Sequence, residues 1–228
     1  MSGIADRLAE VRHRVVTATE RSGRDPSSVT LVAVSKTHPA GAIREAYEAG
    51  QRDFGENYAQ ELVEKRAELA DLPEIRWHFI GALQSNKARF LVPGTALIHA
   101  VDRMSVADAL SRRAVQAGTV AEALAEVNVG GEETKAGISA DALPELLGQA
   151  SVLTGLKIRG LMCIPPVVER AEDARSFFVR LRTLRDSLRP RFPGMELLSM
   201  GMSHDYEVAI AEGATHVRVG TAIFGPRG

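Results

Sequence analysis

The chain is short of the residues that cross-link, anchor or steer a protein. Its single cysteine, Cys163, excludes an internal disulfide and a cysteine-rich zinc site. Set in an apolar run, it reads as a small buried hydrophobe, as suits a reducing compartment. Neither sign of charge dominates: Lys and Arg total 28, Asp and Glu 29, and a formal net charge of -1 leaves no global field to draw nucleic acid or anionic lipid. No run approaches the ~20 uncharged apolar residues that would cross a bilayer. The opening MSGIADRLAEVRHRVV spaces Ile4, Leu8, Val11 and Val15 for a helix face, with charges between them that break any signal-peptide core. No Pro/Ser-rich linker divides the chain. We therefore expect a cytoplasmic protein with neither membrane nor nucleic-acid partner. What is present, 45% hydrophobic and 25% charged over 228 residues, is enough to bury one sizeable core.

Short β-branched runs alternate with longer amphipathic stretches, the pattern of parallel strands joined by helices. LVAVSK (31–36) is strand-like, Pro39 presets a helical turn, Ile43 and Tyr47 share a face and Gly50 supplies a stop. The next strand ends near DFGEN (53–57), and Leu62, Val63 and Leu69 then form a helical stripe. RWHFIG (76–81) is extended, with a helix from about Asn86, and ALIHAVD (96–102) is a fourth strand. Ser105 with Asp108 resembles a capping box opening a helix that stops near Gly118. Residues 122–129 are ambiguous: the Ala-rich half suits a helix, whereas Val127, Asn128 and Val129 before two glycines suit a strand end, with a helix from about Ala140. LKIRGLMCI (156–164) is stopped by Pro165 and Pro166, and Phe177, Leu181, Leu184 and Leu188 face one way after it. MELLSMG, a helix over about 205–212 and HVRVG (216–220) complete the chain.

About eight strands and seven intervening helices predict a single (β/α)8 TIM barrel over 1–228, with an extra N-terminal helix (1–22) packed on it. An open doubly wound sheet is the alternative if weak strands fail. In a barrel, polar residues just beyond successive strands converge on one face. Here they include Lys36, Asn57, His78 through Gly81, Asp102, Asn128, Met162, Ser203, Arg218, Gly220 and Thr221.

A lysine ending an apolar strand is either a Schiff-base nucleophile, made reactive by desolvation, or a rim residue whose head reaches solvent. Arg218 between Val217 and Val219 points into the barrel if the valines face the helices, and a buried cation there needs an acceptor. MGMS (200–203) and GTAIFG (220–225) place hydroxyls and open amides after strands seven and eight, where barrels often hold phosphate; the glycines alone would merely relax turns. An amine at one end, a phosphate cup opposite and an arginine between have the proportions of pyridoxal 5'-phosphate (PLP). A fixed cation facing the pyridine nitrogen disfavours its protonation and weakens the ring as an electron sink.

At these residues the chain resembles the pyridoxal phosphate homeostasis protein family, relatives of the alanine racemase barrel domain. The resemblance runs through VAVSKTHP, DFGENYAQE, WHFIGALQSNK (77–87), GLM and the closing MGMSHDYEVAIAEGATHVRVGTAIFG. It implies PLP held as a Schiff base on Lys36, phosphate around Ser203, Gly220 and Thr221, Arg218 at the pyridine nitrogen, and Asn57 and Met200 lining the ring. It further implies PLP homeostasis and delivery to apo PLP-dependent enzymes, without established catalysis, and no metal. A monomer is expected, since no partner is needed to complete a barrel.

Relatives that are racemases or decarboxylases add a second domain, for which 228 residues leave no room. Candidate acid or base groups are few: Tyr58, Tyr206, His204 and His78, the last two read rather as structural. A weak PLP-dependent amino-acid racemase and a cofactor-free Schiff-base aldolase are the alternatives. Lys87 and Lys135 read as solvated loop lysines rather than transient cofactor amines, and the basic run 180–191 as a solvated helix face.

Overall fold

The computed structural model describes residues 3–132 and 136–226. Eight parallel strands pair in chain order: β1 (Thr30–Val34), β2 (Asp53–Glu56), β3 (Arg76–Phe79), β4 (Leu97–Val101), β5 (Ala121–Glu126), β6 (Leu156–Met162), β7 (Leu197–Met202) and β8 (His216–Val219). β8 pairs with β1, Arg218 beside Val32, so the sheet closes into a (β/α)8 TIM barrel and the open-sheet alternative falls. Helix α1 (Ile4–Arg21) precedes the barrel. α2 (Ala40–Glu48), α3 (Ala59–Glu68), α4 (Ala88–Leu91), α5 (Met104–Gln116), α6 (Leu143–Ala150), α7 (Arg175–Leu188) and α8 (Tyr206–Ala211) each follow a strand, and α9 (Thr221–Phe224) follows β8. Among the described residues, no helix is long and apolar enough to cross a membrane.

Two local expectations change and one ambiguity resolves. β1 ends at Val34, leaving Lys36 in the turn beyond it. Ser105 lies inside α5, whose N-cap is Arg103 with no side-chain cap, so the capping box does not form. The Ala-rich stretch is strand β5, with Val127 making only an isolated bridge to Ile138. Position between β4 and β6 overrides the helix propensity of alanine, because the ladder satisfies the backbone while Ala121, Ala123 and Ala125 are buried in the core outside the barrel.

Strand alternation sorts the side chains into two compartments. Residues such as Phe54, Trp77, Phe79, Ile98, Leu161, Leu198, Val217 and Val219 pack outward, joining α1 residues Leu8, Val11 and Val15 in one large apolar cluster. The inward residues divide again. Leu97, Leu124 and Met162, with Leu197, form a separate apolar cluster, whereas Asp53, His78, His99, Ser199, His216 and Arg218 make a buried polar column. The three imidazole rings lie 5.3–6.0 Å apart, centre to centre.

Burial, reinforced by neighbouring His78, holds the His99 imidazole neutral well below its usual titration range. The same two causes bring His216 down to about 3. Each of these histidines gains a proton on unfolding at mildly acid pH. The stability each contributes is therefore complete above its unfolded value near 6.5 and is lost as pH falls toward the folded value. The expected rate is about 1.4 kcal/mol per pH unit for each ring. Urea unfolding of wild type and His216→Leu at pH 6.5 and 5 should show wild type losing about 2 kcal/mol more than the variant over that interval. Equal losses would mean that His216 is protonated in the fold.

Candidate functional site

At the end of the barrel where the strands finish, a cavity of about 270 Å³ is lined by Lys36, Asn57, Ser203, Arg218, Gly220 and Thr221. Six of the seven residues expected at the site thus converge. Met200 does not. It faces outward and is fully buried in the apolar core, and Met202 lines the cavity in its place. Alternation turns Met200 outward with Leu198, opposite the inward Ser199, and the irregularity that follows turns Met202 into the cavity: Gly201 adopts φ +90°, and the β7–β8 register shifts between Ser199 and Met202. A side chain at Gly201 would also collide with Ala209 of α8.

The turn that carries Lys36 is gripped from outside the barrel. Lys65 on α3, almost wholly buried, donates to Glu56 Oε1, Glu61 Oε1 and the Ser35 carbonyl, each at 2.7 Å. Ser35 Oγ donates to the same Glu56 oxygen at 2.6 Å, and the Thr37 amide donates to Glu61 Oε1 at 2.6 Å. Both chain neighbours of Lys36 are therefore tied to one charge cluster. Thr37 holds φ +65°, a left-handed conformation disfavoured for a β-branched residue, and the Glu61 bond offsets that strain. Burial raises the Glu56 carboxyl above its usual range, while Lys65 pulls it back. These residues were not expected from the sequence; the Glu61–Lys65 spacing was the visible hint, but Glu56 joins them only through the fold.

Arg218 forms the floor. It is 4% exposed and donates from Nη1 to Ser199 Oγ at 2.6 Å and from Nη2 to the Cys163 carbonyl at 2.9 Å. Among the described residues no carboxylate lies within ion-pair distance of it, so its remaining N–H donors are available to an acceptor in the cavity. Burial lowers its proton affinity, opposed by the fields of Cys163, Glu126 and Asp205. Glu126, at the end of β5, is in turn pushed up to about 7 by burial and by Asp102. Cys163 is fully buried, and burial pushes its thiol up to about 12, so it is inert.

Opposite Lys36, Ser203 Oγ accepts from the Gly220 amide at 3.3 Å. Among the described residues no acceptor takes the amide hydrogens of Ser203, Thr221 or Ala222. Asn57 Oδ1 is buried with no donor among the described residues, and Asn57 sits where it does because Gly81 lets its backbone pass: a Cβ at Gly81 would fall 2.1 Å from the Asn57 carbonyl oxygen. One small cavity thus offers an amine, a buried cation, an unsatisfied acceptor and several unsatisfied amides, a set that suits a compact anionic carbonyl compound. His38, stacked on Phe224, and Ile164 complete its walls.

Of the four candidate acid or base groups, only His204 lines the cavity, and it is exposed. His78 is hydrogen-bonded inside the barrel, Tyr206 is buried beside Arg14, and Tyr58 lies in the adjoining pocket with Gln60, Gln84, Lys87 and Arg103. Lys87 packs against Phe90, and Lys135 is outside the described residues. Within the 180–191 run, Arg182 pairs with Glu212 and Arg185 with Asp186.

Over residues 7–228 the chain matches the family described as "Alanine racemase, N-terminal domain". A Pseudomonas aeruginosa protein named "Pyridoxal phosphate homeostasis protein" is 49% identical over 228 residues, covering 100% of this chain and 97% of its own. One of the same name from Aquifex aeolicus is 47% identical over 223 residues, 97% of each chain. Among solved structures, PipY of Synechococcus elongatus PCC7942 with PLP bound superposes with a TM-score of 0.85 at 45% identity, covering 97% of this chain and 100% of that one.

The Lys65 cluster generates a direct test. Removing the cation leaves Glu56 buried and uncompensated, so Lys65→Met should destabilise the fold by about 3 kcal/mol in urea, and the double variant with Glu56→Met should recover much of it. A loss under about 1 kcal/mol in the single variant would show that Lys65 does not hold this turn.

Proposed function

We infer that this chain, which belongs to the alanine racemase N-terminal domain family and within it to the pyridoxal phosphate homeostasis proteins, binds PLP in the cavity at the barrel mouth and serves to store and deliver it. The observation that carries this reading is the convergence of Lys36, Asn57, Ser203, Arg218, Gly220 and Thr221 on one small cavity. When bound, PLP supplies an aldehyde that condenses reversibly with a primary amine. Lys36 is the amine in reach, on a turn held fixed by Lys65, Glu56 and Glu61. The Ser203 hydroxyl and the amides of Ser203, Thr221 and Ala222 donate to the phosphate end, and no counter-cation is required for those bonds. Arg218 donates to the pyridine nitrogen and keeps it unprotonated, which limits the electron withdrawal that carbanion chemistry needs. Asn57 Oδ1 accepts from a donor on the ring.

Holding rather than turnover fits the rest of the site. Tyr206 and His78 are turned away from the cavity, Tyr58 stands in the next pocket, and Arg218 weakens the ring as an electron sink. The whole chain acts as one cofactor-holding domain, a monomer that exchanges its cargo with apo enzymes. A second reading, weak amino-acid racemisation, is favoured by one observation: His204 stands at the cavity wall.

Incubation with PLP should turn the protein yellow, and borohydride followed by peptide mapping should place the label on Lys36. Lys36→Ala should lose that label; a label retained elsewhere at full yield overturns the assignment. Mixing the loaded protein with an apo PLP-dependent enzyme should restore that enzyme's activity. Racemisation that depends on Lys36 and falls with His204→Ala, read by chiral chromatography, would select the second reading.

A further inference from the structure

Below the cavity, a chain of buried polar groups runs through the barrel. Arg218 Nη1 donates to Ser199 Oγ at 2.6 Å, Ser199 Oγ lies 2.9 Å from His99 Nδ1, His99 Nε2 lies 3.1 Å from His78 Nδ1, and His78 Nε2 lies 3.0 Å from Asp53 Oδ1. Five strands contribute one group each: β8, β7, β4, β3 and β2. Asp53 also accepts from Arg76 Nε at 2.8 Å, at the far end of the barrel, where the Arg76 side chain reaches solvent. Every side chain from Arg218 to Asp53 is buried. Among the described residues, no group of His, Cys, Asp and Glu here is arranged to hold a metal ion.

The two ends fix the direction of every bond between them once each ring carries a single hydrogen. A guanidinium only donates and an ionised carboxylate only accepts. Asp53 is ionised: burial pushes its carboxyl up, but the hydrogen bonds from His78 and Arg76 outweigh burial and bring it down to about 2. His78 must then donate from Nε2, which leaves its Nδ1 to accept from His99 Nε2–H. His99 Nδ1, left bare, accepts the Ser199 hydroxyl hydrogen, and Ser199 turns a lone pair to Arg218. Burial keeps His99 neutral, and the relay assigns His78 a single ring hydrogen, on Nε2.

We propose that Ser199, His99, His78 and Asp53 are positioning residues for Arg218, a one-way hydrogen-bond relay that aims its guanidinium at the cavity floor and holds it there without a contacting carboxylate among the described residues. A carboxylate against Arg218 would occupy its donors and neutralise the site, whereas a neutral hydroxyl backed by a distant anion leaves both charge and donors for the ligand. What the guanidinium meets in the cavity rests on the PLP reading above; the relay itself does not.

The test has two arms. Long-range 1H–15N NMR of histidine-labelled protein without cofactor, assigned with His78→Gln and His99→Gln, should find both rings as Nε2–H tautomers at neutral pH. An Nδ1–H tautomer or an imidazolium at either ring overturns the relay, and this arm needs no variant to be active and no ligand to bind. In the second arm, Ser199→Ala should release His99 into a tautomer mixture, weaken PLP about tenfold and shift the absorbance of the bound cofactor, while Ser199→Thr restores all three. PLP affinity and spectrum unchanged in Ser199→Ala overturn the positioning role. Failure of the wild type to take up PLP would refute the cofactor reading, and the tautomers would still decide the relay.

Discussion

The arrangement of this molecule turns on a cation placed where cations do not belong. Arg218 lies inside a closed barrel, where among the described residues only a serine hydroxyl and a peptide carbonyl contact it as acceptors. Desolvating a charge costs several kcal/mol unless hydrogen bonds and compensating fields surround it. The barrel interior answers that demand. Its polar residues on β2, β3, β4, β7 and β8 support the guanidinium, and its aliphatic residues on β4 to β7 fill the remaining space. Without the first group the charge would be stranded, and without the second the column would flood and lose its direction.

A second electrostatic device acts from the opposite side of the sheet. The Lys65, Glu56 and Glu61 cluster lies between the barrel and α3, and it grips the peptide units on either side of Lys36 without touching the cavity. The amine and the guanidinium are thus fixed by independent networks, one outside the barrel wall and one within it.

Much of this was legible in the primary structure, and the losses have physical reasons. Valines flanking Arg218 announced its inward direction because a parallel strand buried on both faces still alternates its side chains. Lys36, Ser203 and Thr221 could be placed because strand ends in a barrel converge whatever their separation in sequence. Met200 was expected in the cavity against alternation, which turns it outward with Leu198; the left-handed glycine and register shift that bring Met202 inward instead do not show in residue type alone. His78 was visible as a barrel histidine, but its bonds to Asp53 and His99 depend on cross-strand register, which no local pattern encodes. β5 stayed ambiguous for another reason, since alanine favours helix in isolation and only its neighbours make it a strand.

The polar column has a thermal consequence. Heat capacity rises on unfolding with newly wetted hydrocarbon and falls with newly wetted polar surface. A barrel that fills much of its axis with imidazole, hydroxyl, carboxylate and guanidinium exposes less of the first and more of the second than one packed with Val, Ile and Leu throughout. Its free energy of unfolding therefore curves less with temperature, and the protein keeps its stability across a wider span of cold and warmth than an aliphatic cylinder of the same length and melting point.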